Sequence, residues 1–186
     1  MKTLIVIDMQ NDFVTGSLAN PAAEAIIPFI KDEIWSGKYE TVVFTQDTHR
    51  LSDYPFSQEG KNLPIKHCIR DANGWQIVDA LKMPNMLRIE KTTFGYADWW
   101  RAEAKLGLDS YQKERDGYGS RHENEELVLV GTCTDICVVS NALILKAAFP
   151  ETKISVLANG CAGSTPERHA AALEVMKSCQ INVVED

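Results

Sequence analysis

Cys137 closes the run Leu127-Val-Leu-Val-Gly-Thr-Cys-Thr-Asp-Ile-Cys137, in which four apolar residues give way at Gly131 to a helical composition from about Thr134. A cysteine in the first turn of a helix, directly after a strand-to-helix bend, suits nucleophilic chemistry for three reasons. Free N–H groups at the helix start point at whatever occupies the bend. The positive end of the helix dipole favours a thiolate over a thiol. The same N–H groups can hold an oxyanion. A lone cysteine in such a place is also a small buried hydrophobe, so residues at other strand ends must decide. Asp8 ends the apolar run Leu4–Ile7, Lys91 ends the run from Met86, and Asp47 and His49 follow Thr41–Thr45. A thiol, a carboxylate and an ammonium on one edge could attack a carbonyl carbon. Cys137 would bond to the carbon, Asp8 would take the thiol proton and later pass it to the leaving group, and Lys91 would hold the carboxylate. Singly, Asp8 reads as a turn cap and Lys91 as a solvated strand-end charge. Their coincidence is what argues for catalysis.

The pair Asp47-x-His49 offers a second chemistry. In extended chain both side chains point to one side, as half of a metal site would require. His67, at the far end of the stretch from Arg50 to Cys68, could complete it, with Glu59 as a fourth ligand. Carboxylate and imidazole donors suit zinc, iron or manganese. The plain alternative is a hydrogen-bonded Asp–His pair. Cys68 adjoins His67, but adjacent residues rarely converge on one ion. His122 and His169 read as surface or helix-packing residues.

The elements that must position these groups can be read from the spacing. Strands are predicted at Leu4–Ile7, Thr41–Thr45, Met86–Lys91, Leu127–Val130, Ile154–Leu157 and Ile181–Val184, the last interrupted by a polar residue and so placed at a sheet edge. Helices are predicted from Pro21 to about Trp35 with a possible kink at Pro28, over Gly74–Lys82, over Ala97–Leu106, after Thr134, and from an N-cap at Thr165. Residues 50–68 read as a long aperiodic loop and 109–126 as a solvated, exposed connection. Strands alternating with helices define a doubly wound α/β fold, with a mostly parallel six-stranded sheet covered on both faces. Ligands bind such sheets at the carboxyl ends of the strands, where Asp8, Asp47, His49, Lys91 and Cys137 all fall.

Composition narrows the class further. The 186 residues suffice for one core and form a single domain, 1–186, with no repeat or linker. A net charge of −7 argues against nucleic acid and anionic membranes as partners. Asp8 ends the first apolar run too early for a signal peptide, and no stretch is long enough to span a bilayer. Five cysteines without zinc-ribbon spacing suggest free thiols in a reducing cytoplasm.

Several motifs occur in one order along nearly the whole chain: Ile7-Asp-Met-Gln-Asn-Asp-Phe13, Thr45-Gln-Asp-Thr-His49, Leu63-Pro-Ile-Lys-His-Cys68, Lys91-Thr-Thr-Phe94, Gly131-Thr-Cys-Thr-Asp-Ile-Cys-Val138 and Cys161-Ala-Gly-Ser-Thr-Pro-Glu167. In these the chain resembles the isochorismatase-like cysteine hydrolases, and among them the nicotinamidases. The resemblance implies a Rossmann-like sheet and a triad of Asp8, Lys91 and Cys137. It also implies a cis peptide between Thr132 and Cys133, with an oxyanion hole from the N–H groups of Cys133 and Cys137. Residues matching Asp47, His49 and His67 hold a metal that binds a pyridine nitrogen, and Phe13 lines the substrate pocket. The implied reaction is nicotinamide plus water to nicotinate plus ammonia through a thioester on Cys137, a step of NAD salvage, in a homo-oligomer. True isochorismatases lack the cysteine.

Two other readings use the same residues. One is a cysteine amidase of this fold acting on an N-carbamoyl or ureido compound, which would not need an ion at the pyridine position. The other is a non-catalytic thiol redox or metal-binding protein, which would oxidise Cys133 and Cys137 reversibly and hydrolyse nothing.

Overall fold

A computed structural model of the chain describes residues 1–106 and 126–185. Its centre is a six-stranded sheet of β1 (Lys2–Ile7), β2 (Thr41–Asp47), β3 (Leu87–Lys91), β4 (Glu126–Thr132), β5 (Lys153–Ala162) and β6 (Asn182–Val184), in the order β3-β2-β1-β4-β5-β6. Every pairing is parallel. The shortest strand, β6, lies at one edge, as its interrupted apolar pattern predicts. Parallel strands are covered on both faces and therefore read as unbroken apolar runs. Along β1 the side chains alternate: Ile5 and Ile7 join one core with Leu127, Leu129, Leu145 and Met176, while Leu4 and Val6 join the other with Ile30, Phe44, Val128 and Val130.

The first core is closed by α6 (Val139–Ala148) and α7 (Pro166–Ser178), the second by α2 (Pro21–Ala25) and α3 (Ile27–Trp35). Thr165 caps α7, its hydroxyl accepting from the Arg168 N–H at 3.2 Å, with Pro166 in the first helical position where a missing N–H costs nothing. The predicted helix from Pro21 is divided at Ile26. Asn20 caps its first part, and Pro28, which has no N–H to donate, restarts the second. A short α1 (Asn11–Val14) follows β1, and α5 (Glu103–Leu106) follows a 3₁₀ turn at Trp99–Arg101 within the predicted Ala97–Leu106 helix.

Four other expectations are corrected. No α-helix forms over Gly74–Lys82; 3₁₀ turns at Asn73–Trp75 and Asp79–Leu81 flank extended chain instead. There Ile77 bridges Gln10, and the Val78 N–H bonds Met9 O at 3.0 Å, so tertiary pairing takes groups that a helix would use. The 50–68 stretch is not structureless, for it holds a 3₁₀ turn at Tyr54–Phe56 and α4 (Gln58–Asn62), capped by Ser57. Gly131 does not end β4 but lies inside it at φ +125°, where a Cβ would stand 2.1 Å from Ile7 O. Glycine is needed there because a side chain would collide with the Ile7 backbone of β1 and the positive φ disfavours one. Strand β5 runs on to Ala162, well beyond Leu157. The predicted exposed segment lies outside the described residues except for Glu126, which opens β4.

Glu126 ties the amino-terminal ends of three strands together. Its carboxylate lies 2.9 Å from Lys2 Nζ and 3.0 Å from Lys153 Nζ, and accepts from Ser155 Oγ at 2.5 Å. Burial works against its charge, but Ser155, Lys2 and Lys153 outweigh burial and hold the carboxyl down to about 2. A depressed folded value means that the stabilisation is present above the unfolded value of 4.5 and is lost as pH falls through about 2. Glu126→Gln should therefore cost about 1–2 kcal/mol at pH 7, with the difference closing toward pH 2, as urea denaturation across that range would measure.

Candidate active site

In this strand order the connections leave β1 and β4 in opposite directions, which opens a crevice at their carboxyl ends. Asp8 follows β1 directly, fully buried and at φ +49°. Thr45 of the neighbouring strand fixes it from both sides, donating its hydroxyl to Asp8 Oδ1 at 2.7 Å and accepting the Asp8 N–H at 3.1 Å. Lys91 ends β3 in register with Asp47 at the end of β2. Its ammonium reaches across to Asp8 Oδ2 at 2.6 Å and lies 3.6 Å from Asp47 Oδ1, 3.1 Å from Thr93 O and 3.8 Å from Cys137 Sγ. Cys137 lies in a single π-helical turn, Thr134–Val138, which leads into α6. The peptide between Thr132 and Cys133 is cis.

The electrostatics correct one expectation. Burial pushes the Cys137 thiol well above its usual range, and although Lys91 opposes this, Asp8 and Asp47 reinforce it. Burial and the two carboxylates thus disfavour the thiolate, against the pull of Lys91 and of the helix start. Burial likewise raises the Asp8 carboxyl, with Lys91 opposing. Burial works against the charge of Lys91 too, but Asp8, Cys137 and Asp47 hold the ammonium above its ordinary value. Asp8 is thus a carboxylate with lowered cost for taking a proton, beside the Cys137 thiol.

Next to this group Asp47, His49, Glu59 and His67 bring one donor atom each to within 4.8 Å of one another. Asp47 Oδ2 lies 3.0 Å from His49 Nε2 and 3.6 Å from His67 Nε2, while Glu59 Oε1 lies 3.7 Å and 3.4 Å from the same two nitrogens. Metal–donor bonds of about 2.1 Å set neighbouring donors roughly 3.0–3.4 Å apart, so the residues suit a divalent cation. His67 Nδ1 donates to Ile65 O at 2.9 Å, which leaves Nε2 free to ligate. Burial works against charge on His67, but Asp47 and Glu59 outweigh it and raise the imidazole to about 10, so a metal ion at Nε2 would displace a proton. Glu59 enters because α4 turns it inward. Phe13 is half-buried beside the cluster, its ring centroid 5.6 Å from that of His67.

Two residues at the site escape a reading by motif chemistry. Gln10 is fully buried and grips the Asp47 backbone, its Oε1 accepting the Asp47 N–H at 2.7 Å and its Nε2 donating to Asp47 O at 2.9 Å. Asn141 is also fully buried and uses its whole amide: Nδ2 donates to Cys137 O at 2.8 Å and Phe94 O at 3.2 Å, while Oδ1 accepts from Tyr96 N and Trp99 Nε1, both at 2.9 Å. It joins the Cys137 turn to the segment after Lys91. A polar residue one turn past the cysteine in an apolar helix was the available signal. His169 packs on the same turn, its Nδ1 2.8 Å from Thr134 Oγ1, while His122 falls outside the described residues. Cys68 is buried and takes no part in the ligand cluster.

Fold and site together define a doubly wound, all-parallel α/β protein with a thiol–carboxylate–ammonium group at its topological switch point. The sequence profile of the isochorismatase domain matches residues 2–185, and the chain belongs to that family. A Bacillus subtilis protein described as an uncharacterized isochorismatase family protein is 32% identical over 187 residues, covering 92% of each chain. A nicotinamidase of Saccharomyces cerevisiae is 25% identical over 217 residues, covering all of both chains. The crystal structure of a nicotinamidase/pyrazinamidase from Bacillus subtilis superposes with a TM-score of 0.74 at 27% identity, covering 99% of each chain.

Proposed function

We propose that this protein is a nicotinamidase-type cysteine amidohydrolase, releasing ammonia from nicotinamide to leave nicotinate. The observation that carries the reading is Lys91, whose ammonium touches Asp8 and stands within 4 Å of both Cys137 Sγ and Asp47, an acid of the cation cluster. One substrate can therefore meet the thiol at its amide carbon and the cluster at its ring nitrogen. Its relatives named nicotinamidase support the choice of amide.

Asp8 takes the proton from Cys137 as Sγ bonds to the amide carbon. Burial and the neighbouring carboxylates disfavour the thiolate, so proton removal by Asp8 accompanies the attack. The developing oxyanion is received by the N–H groups of Cys133 and Cys137, each good donor contributing about 3 kcal/mol. Asp8 then gives the proton to the departing nitrogen, the C–N bond breaks, and ammonia leaves a thioester on Cys137. With Asp8 again as base, water attacks the acyl carbon, the C–S bond breaks, and the carboxylic acid is released with the thiol restored. Lys91 holds Asp8 in place and balances its charge throughout. Asp47, His49, His67 and Glu59 hold a divalent cation, zinc by preference with iron or manganese as alternatives, which when bound supplies a Lewis-acid contact for the pyridine nitrogen. Phe13 packs against the ring.

This reading takes residues 1–186 as one catalytic domain, working in the cytoplasm as a homo-oligomer. None of the helices among the described residues is long and apolar enough to cross a membrane.

Purified protein should release ammonia from nicotinamide, lose most of that activity on dialysis against a chelator, and regain it with zinc. Turnover of N-carbamoyl or ureido amides, unaffected by chelation and without release from nicotinamide, would favour the other amidase reading.

A further inference from the structure

Asp12 belongs to the motif after β1, yet the chemistry above leaves it unused. Its Oδ2 accepts the N–H of Cys68 at 2.7 Å, and its Oδ1 accepts that of Ser17 at 3.2 Å. Cys68 follows His67 and sits at φ +45°, a conformation non-glycine residues seldom adopt. On its other side the Cys68 carbonyl accepts the His49 N–H at 2.9 Å. One residue of unusual backbone thus lies between two imidazoles of the cluster, bonded to His49 at one end and to Asp12 at the other. The surroundings of the carboxylate are tight: a Cβ on Gly74 would stand 2.1 Å from Asp12 Oδ2, and one on Gly16 would stand 2.5 Å from Oδ1.

We infer that Asp12 is a positioning residue for the cation cluster: through the Cys68 N–H it holds the backbone turn that aims His67 toward Asp47, His49 and Glu59. This rests on reading those four residues as a metal site. An ionised acceptor makes a stronger bond to a backbone N–H than a neutral one does, and that strength holds the turn in its left-handed form. Gly74 is glycine because any side chain there would push Asp12 off Cys68.

The inference makes two unlike substitutions equivalent. Asp12→Asn keeps the shape and removes the charge; Gly74→Ala keeps Asp12 and takes its place. Cobalt(II) titrated into the metal-free full chain, read by visible absorption, reports affinity and ligand geometry without turnover. Both variants should bind cobalt about 10- to 100-fold more weakly than the unaltered protein, with changed band intensities. Glu126→Gln, destabilised at the opposite edge of the sheet, should bind as the unaltered protein does. Should Asp12→Asn fail to fold, Gly74→Ala carries the test with the carboxylate chemically intact. Unchanged affinity and spectrum in the variants would overturn the inference, as would an equal loss in Glu126→Gln, which would reduce the effect to general stability. An unaltered protein that takes up no cobalt would instead remove the metal reading itself, and this inference with it.

Discussion

Cys137→Ala is expected to release no more ammonia from nicotinamide than a fall of roughly 10⁴-fold or more would leave, because no other group can form the acyl intermediate. The site is otherwise undisturbed by the change. Cys137 Sγ is nearly buried, and the side chain that remains still fills the Cβ position beside Lys91. The variant should therefore keep its cation affinity and melt close to the unaltered protein, so loss of turnover would report the nucleophile and not the fold. Mass spectrometry sharpens the result: unaltered protein quenched during turnover should carry an acyl adduct on Cys137, and the variant none. Ammonia release at the original rate by the alanine variant would remove the thioester route, whatever became of the metal.

Lys91→Met should destabilise the fold itself, by about 3–5 kcal/mol at pH 7. The side chain of Lys91 is 1% exposed and its ammonium lies 2.6 Å from an Asp8 carboxylate that is fully buried. Without that partner Asp8 keeps Thr45 but loses its counter-charge, and burial, which already raises its carboxyl, acts unopposed by the ammonium. The sign follows directly. In the variant Asp8 binds its proton more tightly folded than unfolded, so stability falls as pH rises above the unfolded value of 3.8. Urea midpoints should thus separate widely at pH 7 and approach each other toward pH 4. Asp8→Asn combined with Lys91→Met removes both charges and should recover most of the lost stability while leaving the protein inactive. A double variant as unstable as the single one would mean that Lys91 acts by packing and not by charge.

What the sequence alone determined is the part that depends on local pattern. Leu4–Ile7 and Leu127–Val130 are apolar without interruption because parallel strands are covered on both faces, so the runs are visible without any partner. A charged residue that stops such a run must lie at a strand end, and in a parallel sheet the carboxyl ends share one edge. That is why Asp8, Asp47 and Lys91 share one edge of the sheet, where the turn after β4 adds Cys137. Thr165 and Pro166 were legible for a similar reason, since a cap and a proline act within one turn.

The tertiary structure decided whatever depends on a second segment of chain. Gly74–Lys82 has helical spacing, but Met9 and Gln10 take its backbone groups in extended pairing. Gly131 breaks the apolar run of β4, and the reason for it belongs to β1, whose Ile7 O would lie 2.1 Å from a Cβ there. The surroundings of Cys137 could not be read from its place at a helix start, because burial and two carboxylates from other strands push its thiol upward. Glu59 joins the cluster only through the turn of α4, and Gln10, Asp12 and Asn141 act on backbone groups that no side-chain motif records. Patterns along the chain select which residues reach the edge of the sheet, because strand and helix periods are local. Which of those residues touch, and what charge they carry there, is set by groups brought from elsewhere in the fold.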